Sequence, residues 1–288
     1  MPYKQHRMIK RELTDFSFLA PALIFVAVFV VIPIIIGFPI AFQKWDGFSA
    51  NRTYVGLANF KKIFTDKNQF HALEKTLEFT LYTVTLTNLV GLSAALLLNR
   101  TDPFHNALRT IVFMPFTICI VLSSYIFSYI YSDVLFRYLG IINPLTSMKN
   151  VIFGLSLIAV WRDSGYCMIV YFAALQAVPK ELYECAEIEG AGWWTRFFKI
   201  TLPMIVPALT ANLTLILSWG LKVFDYPMIA TLGGPGNASE TVNLLIYRNI
   251  FVYYKAGYGQ ASAYVFTVFI FIITAIVSTI LRRQEVEM

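Results

Sequence analysis

Six long apolar stretches constrain this 288-residue chain more than any other feature. They cover residues 16–42, 79–98, 111–131, 151–177, 202–224 and 261–281. As a helix rising roughly 1.5 Å per residue, each is long enough to cross about 30 Å of hydrocarbon. Helices suit that layer because they satisfy their own backbone hydrogen bonds without water. The stretches therefore predict an all-α polytopic membrane protein with about six transmembrane helices.

Composition agrees with a chain that lies mostly in lipid. Hydrophobic residues make up 57% of it and charged residues 14%, whereas a soluble domain carries roughly 25% charged residues. The net charge is +6, but the Lys and Arg residues are scattered between apolar stretches and form no basic stripe with aromatics. We therefore expect membrane lipid as the surroundings and no nucleic-acid partner.

The loops define a simple domain organisation. Residues 1–15 predict a cytoplasmic tail, and residues 16–288 a single transmembrane domain. The first apolar stretch, at 27 residues, is too long for a signal-peptide core, so it predicts an uncleaved helix. The loops 43–75, 178–201 and 232–260 are too short for a catalytic domain with its own core. We expect 43–75 to form a small external cap.

Charge counting does not orient the chain. With the N-terminus inside, the cytoplasmic segments carry 11 Lys and Arg and the outer segments carry 10. Six of those ten outer cations lie in 43–75. Because orientation normally follows an excess of cations in cytoplasmic loops, these numbers leave the topology open.

The loop that follows the fourth stretch has an unusual pattern. Residues 180–207 read KELYECAEIEGAGWWTRFFKITLPMIVP. Pro179 suits the start of a helix, Gly190 and Gly192 allow a turn, and Pro203 marks the start of the next span. This predicts a helix–turn–helix along the membrane. One interpretation is an amphipathic interfacial loop anchored by its tryptophans.

The detailed spacing supports a second interpretation. Glu184-Cys185-Ala186, then Gly190 after three intervening residues, and Leu202-Pro203 near the end, resemble the EAA loop of permease subunits in binding-protein-dependent ABC importers. Cys185 stands where Ala is usual and Glu189 where Asp is common. Other segments are similar to signatures of the carbohydrate branch of that family, in the same order: 54–60 (YVGLANF), 109–115 (RTIVFMP), 231–235 (TLGGP) and 258–263 (YGQASA).

The resemblance implies how the loop would work. In that family the loop inserts into a cleft of a cytoplasmic ATPase subunit, so the loop and both termini would be cytoplasmic in a bacterial plasma (inner) membrane. Glu184 would offer a charge-assisted hydrogen bond, and small side chains would allow close approach. The coupling residues implied are Glu184, Cys185, Ala186, Glu189, Gly190, Ala191 and Pro203.

The resemblance also implies partners: a second homologous permease, two ATPase subunits and an extracellular solute-binding protein. The chain itself has no G-x-x-x-x-G-K-[ST] phosphate loop. We therefore expect a pore-forming subunit that is not an enzyme and has no cofactor, with Mg-ATP bound by the partner ATPases. No metal site is expected, because the three histidines lie in separate loops.

Few charges interrupt the apolar stretches. Arg162, Asp163, Lys222 and Asp225 do so, although each charge in hydrocarbon costs about 2.5–3.5 kcal/mol on insertion scales. One interpretation is helix pairing, with Arg162 on Asp163 or Asp225 and Lys222 on Asp225. The other is a cargo site, because residues three apart in a helix share a face. Asp163 and Tyr166 are three apart, as are Trp219 and Lys222.

The resemblance implies that a transient sugar site is built from these two spans. The substrate-path residues implied are Asp163, Tyr166, Trp219, Trp161 and Asp225. By contrast, Asn88, Asn212, Ser123 and Ser124 predict hydrogen bonds between or within packed helices.

These observations predict a permease subunit that translocates a sugar or oligosaccharide delivered by a binding protein. Alternatives are a permease for another delivered solute, such as glycerol phosphate or a polyol, and a stand-alone secondary transporter. The latter would need its own ion-coupling carboxylates and usually an internal repeat, and the sequence displays neither. A receptor or a membrane enzyme would need a domain that the loops cannot hold.

Overall fold

A computed structural model describes Phe16 and residues 18–283 of the chain. Those residues are mostly helical, with one two-stranded antiparallel sheet that pairs β1 (Gln43–Lys44) with β2 (Thr53–Tyr54). The helices are α1 Phe18–Phe42, α2 Ala58–Ile63, α3 Lys67–Leu97, α4 Pro103–Thr117, α5 Ile120–Leu139, α6 Val151–Ala177, α7 Lys180–Ile188, α8 Trp193–Met204, α9 Val206–Leu221, α10 Asp225–Ala230, α11 Val242–Val252 and α12 Ala256–Arg282.

Four of these helices, α1, α3, α6 and α12, are individually long and apolar enough to cross a membrane. Two further pairs qualify if each bent pair counts as one span: α4 with α5, which meet at 99°, and α8 with α9, which meet at 67°. The prediction of an all-α polytopic membrane protein is confirmed, and the helices allow up to six spans.

Several predicted boundaries differ from the structure. The second span starts at Lys67 rather than residue 79, because the Asp66 side chain caps the helix by accepting the Asn68 N–H at 3.0 Å. The third predicted span, 111–131, crosses the break between α4 and α5. The fifth, 202–224, begins inside α8, and the sixth lies within α12. The predicted tail 1–15 falls outside the described residues.

Among the described residues, the first of two compact units contains those up to Thr65 together with Ile246–Tyr264. Here the expected external cap is a β-hairpin followed by α2, and residues 67–75 belong to α3 instead. The Asn59 amide donates to the carbonyls of Ala41 and Gln43, both at 2.9 Å. The Gly257 N–H donates to the Trp45 carbonyl at 3.2 Å, which holds the hairpin against the start of α12.

The second unit contains Asp66–Leu245 and the described residues from Val265 to Arg283. Its centre is the packing of α3 against α6 and α9. Thr76, Thr80 and Thr83 are buried on α3, and each hydroxyl bonds a carbonyl four residues earlier. A Cβ on Gly91 would come within 2.7 Å of the Cys167 Cβ, so glycine permits the close approach of α3 and α6.

Polar side chains also join these helices, as the sequence predicts. The Tyr171 hydroxyl donates to the Asn88 side-chain oxygen at 2.6 Å, and the Asn212 amide donates to the Cys167 carbonyl at 3.2 Å. Ser123 and Ser124 bond carbonyls of their own helical turn. Such bonds fix the helix register in a layer that offers few other partners.

Candidate functional site

The loop between α6 and α9 folds as a helix–turn–helix whose turn depends on Gly190. The Gly190 N–H bonds the Glu187 carbonyl at 3.0 Å and the Ala191 N–H bonds the Ala186 carbonyl at 2.8 Å. This pair of bonds is the Schellman arrangement that ends a helix, and it requires a left-handed residue. Gly190 supplies that conformation with φ +77°. The backbone of the turn therefore explains why the motif has glycine at this position.

The loop is braced from within but exposed outward. The Tyr183 hydroxyl lies 3.0 Å from the Thr201 hydroxyl, and Arg196 pairs with Glu187 at 3.3 Å. Glu184, Cys185 and Glu189 are exposed. Ile188, at the tip of α7, has 88% of its surface exposed. Leu182, Trp193 and Trp194 on the same loop are exposed as well, and a group of exposed apolar side chains indicates a surface that contacts protein or membrane.

Pro203 lies at a different point from the one the sequence predicts. It falls inside α8, two residues before the break at Ile205, and α9 begins at Val206. The helix that carries Trp193 and Trp194 therefore continues through Pro203 and bends only afterwards.

A cavity of about 330 Å³ opens between α3, α4, α6 and α9, and three of the predicted substrate-path residues line it. These are Asp163 on α6, Trp219 on α9 and Asp225 at the start of α10. The wall is mainly apolar, with a few charged groups, which is the usual character of a small-molecule site.

Arg162 and Asp163 form the ionic part of the wall. The guanidinium pairs with the Asp163 carboxylate at 2.5 Å, and both side chains are largely buried. The Arg162 Nε also donates to the Ile118 carbonyl at 3.0 Å, where the chain breaks between α4 and α5. One side chain thus neutralises a buried carboxylate and satisfies a carbonyl that the helix break leaves free.

Lys222 and Asp225 behave differently from the pairing considered in the sequence. Both are exposed at the cavity, and no ion pair joins them among the described residues. Three ion pairs were considered from the sequence, and the one between Arg162 and Asp163 is present among the described residues. Lys222 and Asp225 therefore leave one cation and one anion open to the cavity.

Aromatic rings form the opposite part of the site. Trp219 lies 5.8 Å from Tyr166 and 6.1 Å from Phe116, measured between ring centroids, and Phe116 lies 5.1 Å from Tyr166. Tyr166 therefore supports Trp219 from behind the cavity wall. Trp161 is placed elsewhere: it packs on Phe127 at 5.1 Å and does not line the cavity, because it projects from a different face of α6.

Sequence reasoning missed Phe116, Thr83 and Tyr226, which also line the cavity. Phe116 follows Pro115 at the end of α4, so the helix break places its ring on the cavity and under the Arg162 guanidinium, 5.0 Å from the ring centroid. A proline next to an aromatic residue within an apolar stretch was the available signal. Nothing local marks Thr83, whose position depends on how α3 packs.

The site as a whole offers an aromatic face, hydroxyl groups and charges of both signs. Flat aromatic rings stack on the apolar C–H face of a sugar, while carboxylate and hydroxyl groups bond its hydroxyls. Within Phe16 and residues 18–283, no group of three or more His, Cys, Asp or Glu residues is arranged to hold a metal ion.

The known proteins that this chain resembles are components of membrane transport systems. The profile of the "Binding-protein-dependent transport system inner membrane component" family matches residues 87–285. A starch degradation products transport permease, AmyD of Thermoanaerobacterium thermosulfurigenes, is 31% identical over 99% of both chains. The trehalose/maltose transport permease MalF of Thermococcus litoralis is 31% identical over 88% of each.

Solved structures match the fold at lower sequence identity. A chain of a bacterial ABC transporter that imports the acidic polysaccharide alginate superposes with a TM-score of 0.83 at 24% identity, covering 97% of this chain and 99% of that one. A second structure of an alginate transporter, in complex with an alginate pentasaccharide-bound periplasmic protein, gives 0.81 at 24% identity and covers 96% of both chains. At this identity the likeness establishes the fold.

Proposed function

Because this chain belongs to the family of binding-protein-dependent transport system inner membrane components, we propose that it is the sugar-translocating permease subunit of an ATP-driven importer. Its cargo is a sugar or oligosaccharide, and it performs no chemistry of its own. The energy comes from Mg-ATP that partner subunits bind and hydrolyse.

The observation that carries this proposal is the exposed loop from α7 to α8. Ile188 and three acidic residues of α7 are exposed, and the Schellman turn holds them in one fixed shape. A rigid, exposed helix–turn–helix can transmit force, whereas a flexible loop would absorb it. We infer that this loop docks into a cytoplasmic ATPase subunit through Glu184, Cys185, Ala186, Glu189, Gly190, Ala191 and Pro203.

The cargo proposal is supported by the cavity and by the names of the relatives. Asp163, Trp219 and Asp225 combine an aromatic face with polar partners, which suits a saccharide. Tyr166 acts by holding Trp219, and Trp161 has only a packing role. Relatives are named for starch degradation products, trehalose/maltose and trehalose.

The full assembly follows from the same proposal. A second permease faces this one, two ATPase subunits bind the loops, and a binding protein delivers cargo from outside. Since the ATPases are cytoplasmic, the α7–α8 loop and both termini lie on the cytoplasmic side of a bacterial plasma membrane, and the β1–β2 hairpin lies outside.

Two glycines of the loop provide a matched test. Gly190→Ala must place a side chain at φ +77°, which costs about 1–2 kcal/mol at such positions, whereas Gly192 has φ −66° and accepts alanine readily. A Cβ meets no neighbouring atom within 4 Å at either position. We expect Gly190→Ala to reduce ATPase co-purification and sugar uptake, and Gly192→Ala to leave both unchanged.

Uptake of labelled maltodextrins into proteoliposomes, with the ATPase recovered on pull-down, measures both effects. Membrane insertion of each variant is checked by its yield after solubilisation. Equal ATPase recovery for the two variants would exclude the loop as the docking element. A different outcome would separate the two parts of the proposal. If Gly190→Ala loses the ATPase but the wild-type assembly takes up no saccharide, the chain is still an importer subunit and its cargo is not a sugar.

A further inference from the structure

The first compact unit contains two neighbouring clefts that the transport function does not use. One has a volume of about 480 Å³ and is lined by polar, basic and aromatic residues, among them Lys44, Lys62 and Lys255. The other, about 200 Å³, is lined mainly by apolar residues, among them Ile40, Phe48, Ile250 and Phe251. Trp45 lines both clefts, so an amphipathic molecule could occupy them together.

The polar cleft carries an excess of positive charge. Within the described part of this unit there are six Lys and Arg residues against one acidic residue, Asp46. Lys44, Lys62 and Lys255 form no ion pair with any described residue. Lys62 instead lies over the Tyr258 ring at 5.2 Å.

Asp46 does not offset these cations as an ion-pair partner. Its carboxylate accepts the N–H groups of Phe48 and Ser49, at 3.0 and 2.8 Å, and the Ser49 hydroxyl at 2.9 Å. All three bonds end on Oδ1 and hold the pKa of Asp46 below its ordinary value, so the carboxylate stays charged and bonded within its own turn. The cleft therefore holds three lysines and one carboxylate, and none of the three lysines is ion-paired with it.

The position of the clefts fixes their depth in a membrane. Lys44 comes two residues after the end of α1, and Lys255 directly precedes α12. Both helices are membrane-span candidates, so the polar cleft lies at headgroup level and the apolar cleft lies beside the spans. Phe48 and Tyr254 are 73% and 56% exposed, and their rings contact at 5.5 Å, as aromatic residues do at an interface.

From this juxtaposition we propose that the two clefts form a binding site for an anionic phospholipid, with the phosphate on Lys44, Lys62 and Lys255 and an acyl chain in the apolar cleft beyond Trp45. The ligand would give a partner to Lys44 and Lys62, two of the six predicted outer cations in 43–75, on the side where cations are usually fewer. The leaflet assignment rests on the proposed function, whereas lipid binding itself does not.

The test uses full-length protein purified with its partner subunits in neutral detergent. Phosphatidylglycerol is titrated and bound lipid is counted by native mass spectrometry, with phosphatidylcholine of the same acyl chains and inorganic phosphate as comparison probes. Lys44→Gln with Lys255→Gln removes two cleft cations. Lys61→Gln with Lys149→Gln is the matched control, because both are exposed and neither lines a cleft.

We expect phosphatidylglycerol to bind more tightly than phosphatidylcholine, and the cleft variant to weaken phosphatidylglycerol binding about tenfold while the control leaves it unchanged. Phe251→Gln should weaken the diacyl lipid without affecting inorganic phosphate. Equal phosphatidylglycerol affinity in cleft and control variants would overturn the site. So would full displacement of the lipid by inorganic phosphate, which would mark a plain phosphate site.

A third result would reassign the surface. If the cleft variant loses the binding protein on pull-down while its phosphatidylglycerol affinity is unchanged, the cations dock an acidic protein surface and the lipid proposal is wrong. The Gly190→Ala variant separates this inference from the transport proposal, because it should bind phosphatidylglycerol like the wild type even when ATPase docking fails.

Discussion

The α7–α8 loop and the cavity beside α6 are the two candidate functional regions, and they are built differently. The loop is a single continuous segment, exposed on most of its length and shaped by its own backbone hydrogen bonds. The cavity gathers side chains from α3, α4, α6, α9 and α10, and its ionic pair is largely buried.

This difference indicates how much each region contributes to the stability of the chain. A surface that binds another protein must remain available, so its residues add little to the stability of the chain that carries them. A cavity inside a helix bundle belongs to the packing, so changes there affect folding as well as cargo. Substitutions should therefore separate the two regions by which measurement they alter.

The largest effect is expected at Arg162. Arg162→Gln leaves the Asp163 carboxylate buried without its charge partner, which typically costs about 3–5 kcal/mol. We expect a marked fall in thermal stability and membrane yield. Arg162→Gln combined with Asp163→Asn removes both charges and should recover a large part of that loss. If the single and double variants were equally unstable, the buried pair would not be the cause.

A smaller effect, on assembly alone, is expected at Ile188. Ile188→Asp removes an apolar side chain whose full burial at an interface would contribute about 1.5–3 kcal/mol. The isolated chain should keep its melting temperature, because this side chain is 88% exposed, while ATPase recovery falls. Leu182→Asp, also on an exposed part of α7, tests whether the effect is local to the tip. A lower melting temperature with normal ATPase recovery would place Ile188 in the fold instead.

The smallest effect is expected from replacing Trp219, the tryptophan that lines the cavity. Trp219→Leu removes ring contacts of about 0.5–1.5 kcal/mol and an aromatic wall of the cavity, so the KM for sugar uptake should rise several-fold. Trp161→Leu is the control, since its ring contacts Phe127 away from the cavity. A KM that rises equally for both variants would show that general packing, rather than the cavity wall, sets the uptake.

Much of the fold was predictable because the bilayer imposes it. Long apolar stretches must be helices in hydrocarbon, and that prediction is confirmed. The breaks at Ile118 and Ile205 were not predicted, because each lies inside a continuous apolar run that composition alone cannot divide. The early start of α3 was also missed, since residues 67–78 are polar enough to resemble a loop until the Asp66 cap is considered.

The residues of the candidate site were likewise predictable where their cause is local in the sequence, and not where it depends on packing between helices. The turn at Gly190 was predictable because its cause, a left-handed backbone, is local to a few residues. Asp163, Trp219 and Asp225 were found as polar or aromatic interruptions of apolar runs, whereas Trp161, predicted with them for the substrate path, does not line the cavity. The face that Trp161 presents depends on which helices surround α6, and sequence spacing along α6 does not contain that information.

The sequence by itself determined the solvent of this protein, its helical class and the loop that resembles an ATPase-docking motif, because each follows from hydrophobicity or from short-range backbone geometry. Only the tertiary structure decided that Arg162 joins Asp163 to the α4–α5 break, that Phe116 lines the cavity and that Trp45 stands between two clefts. Those contacts join residues tens to hundreds of positions apart, and packing between helices decides which of them meet.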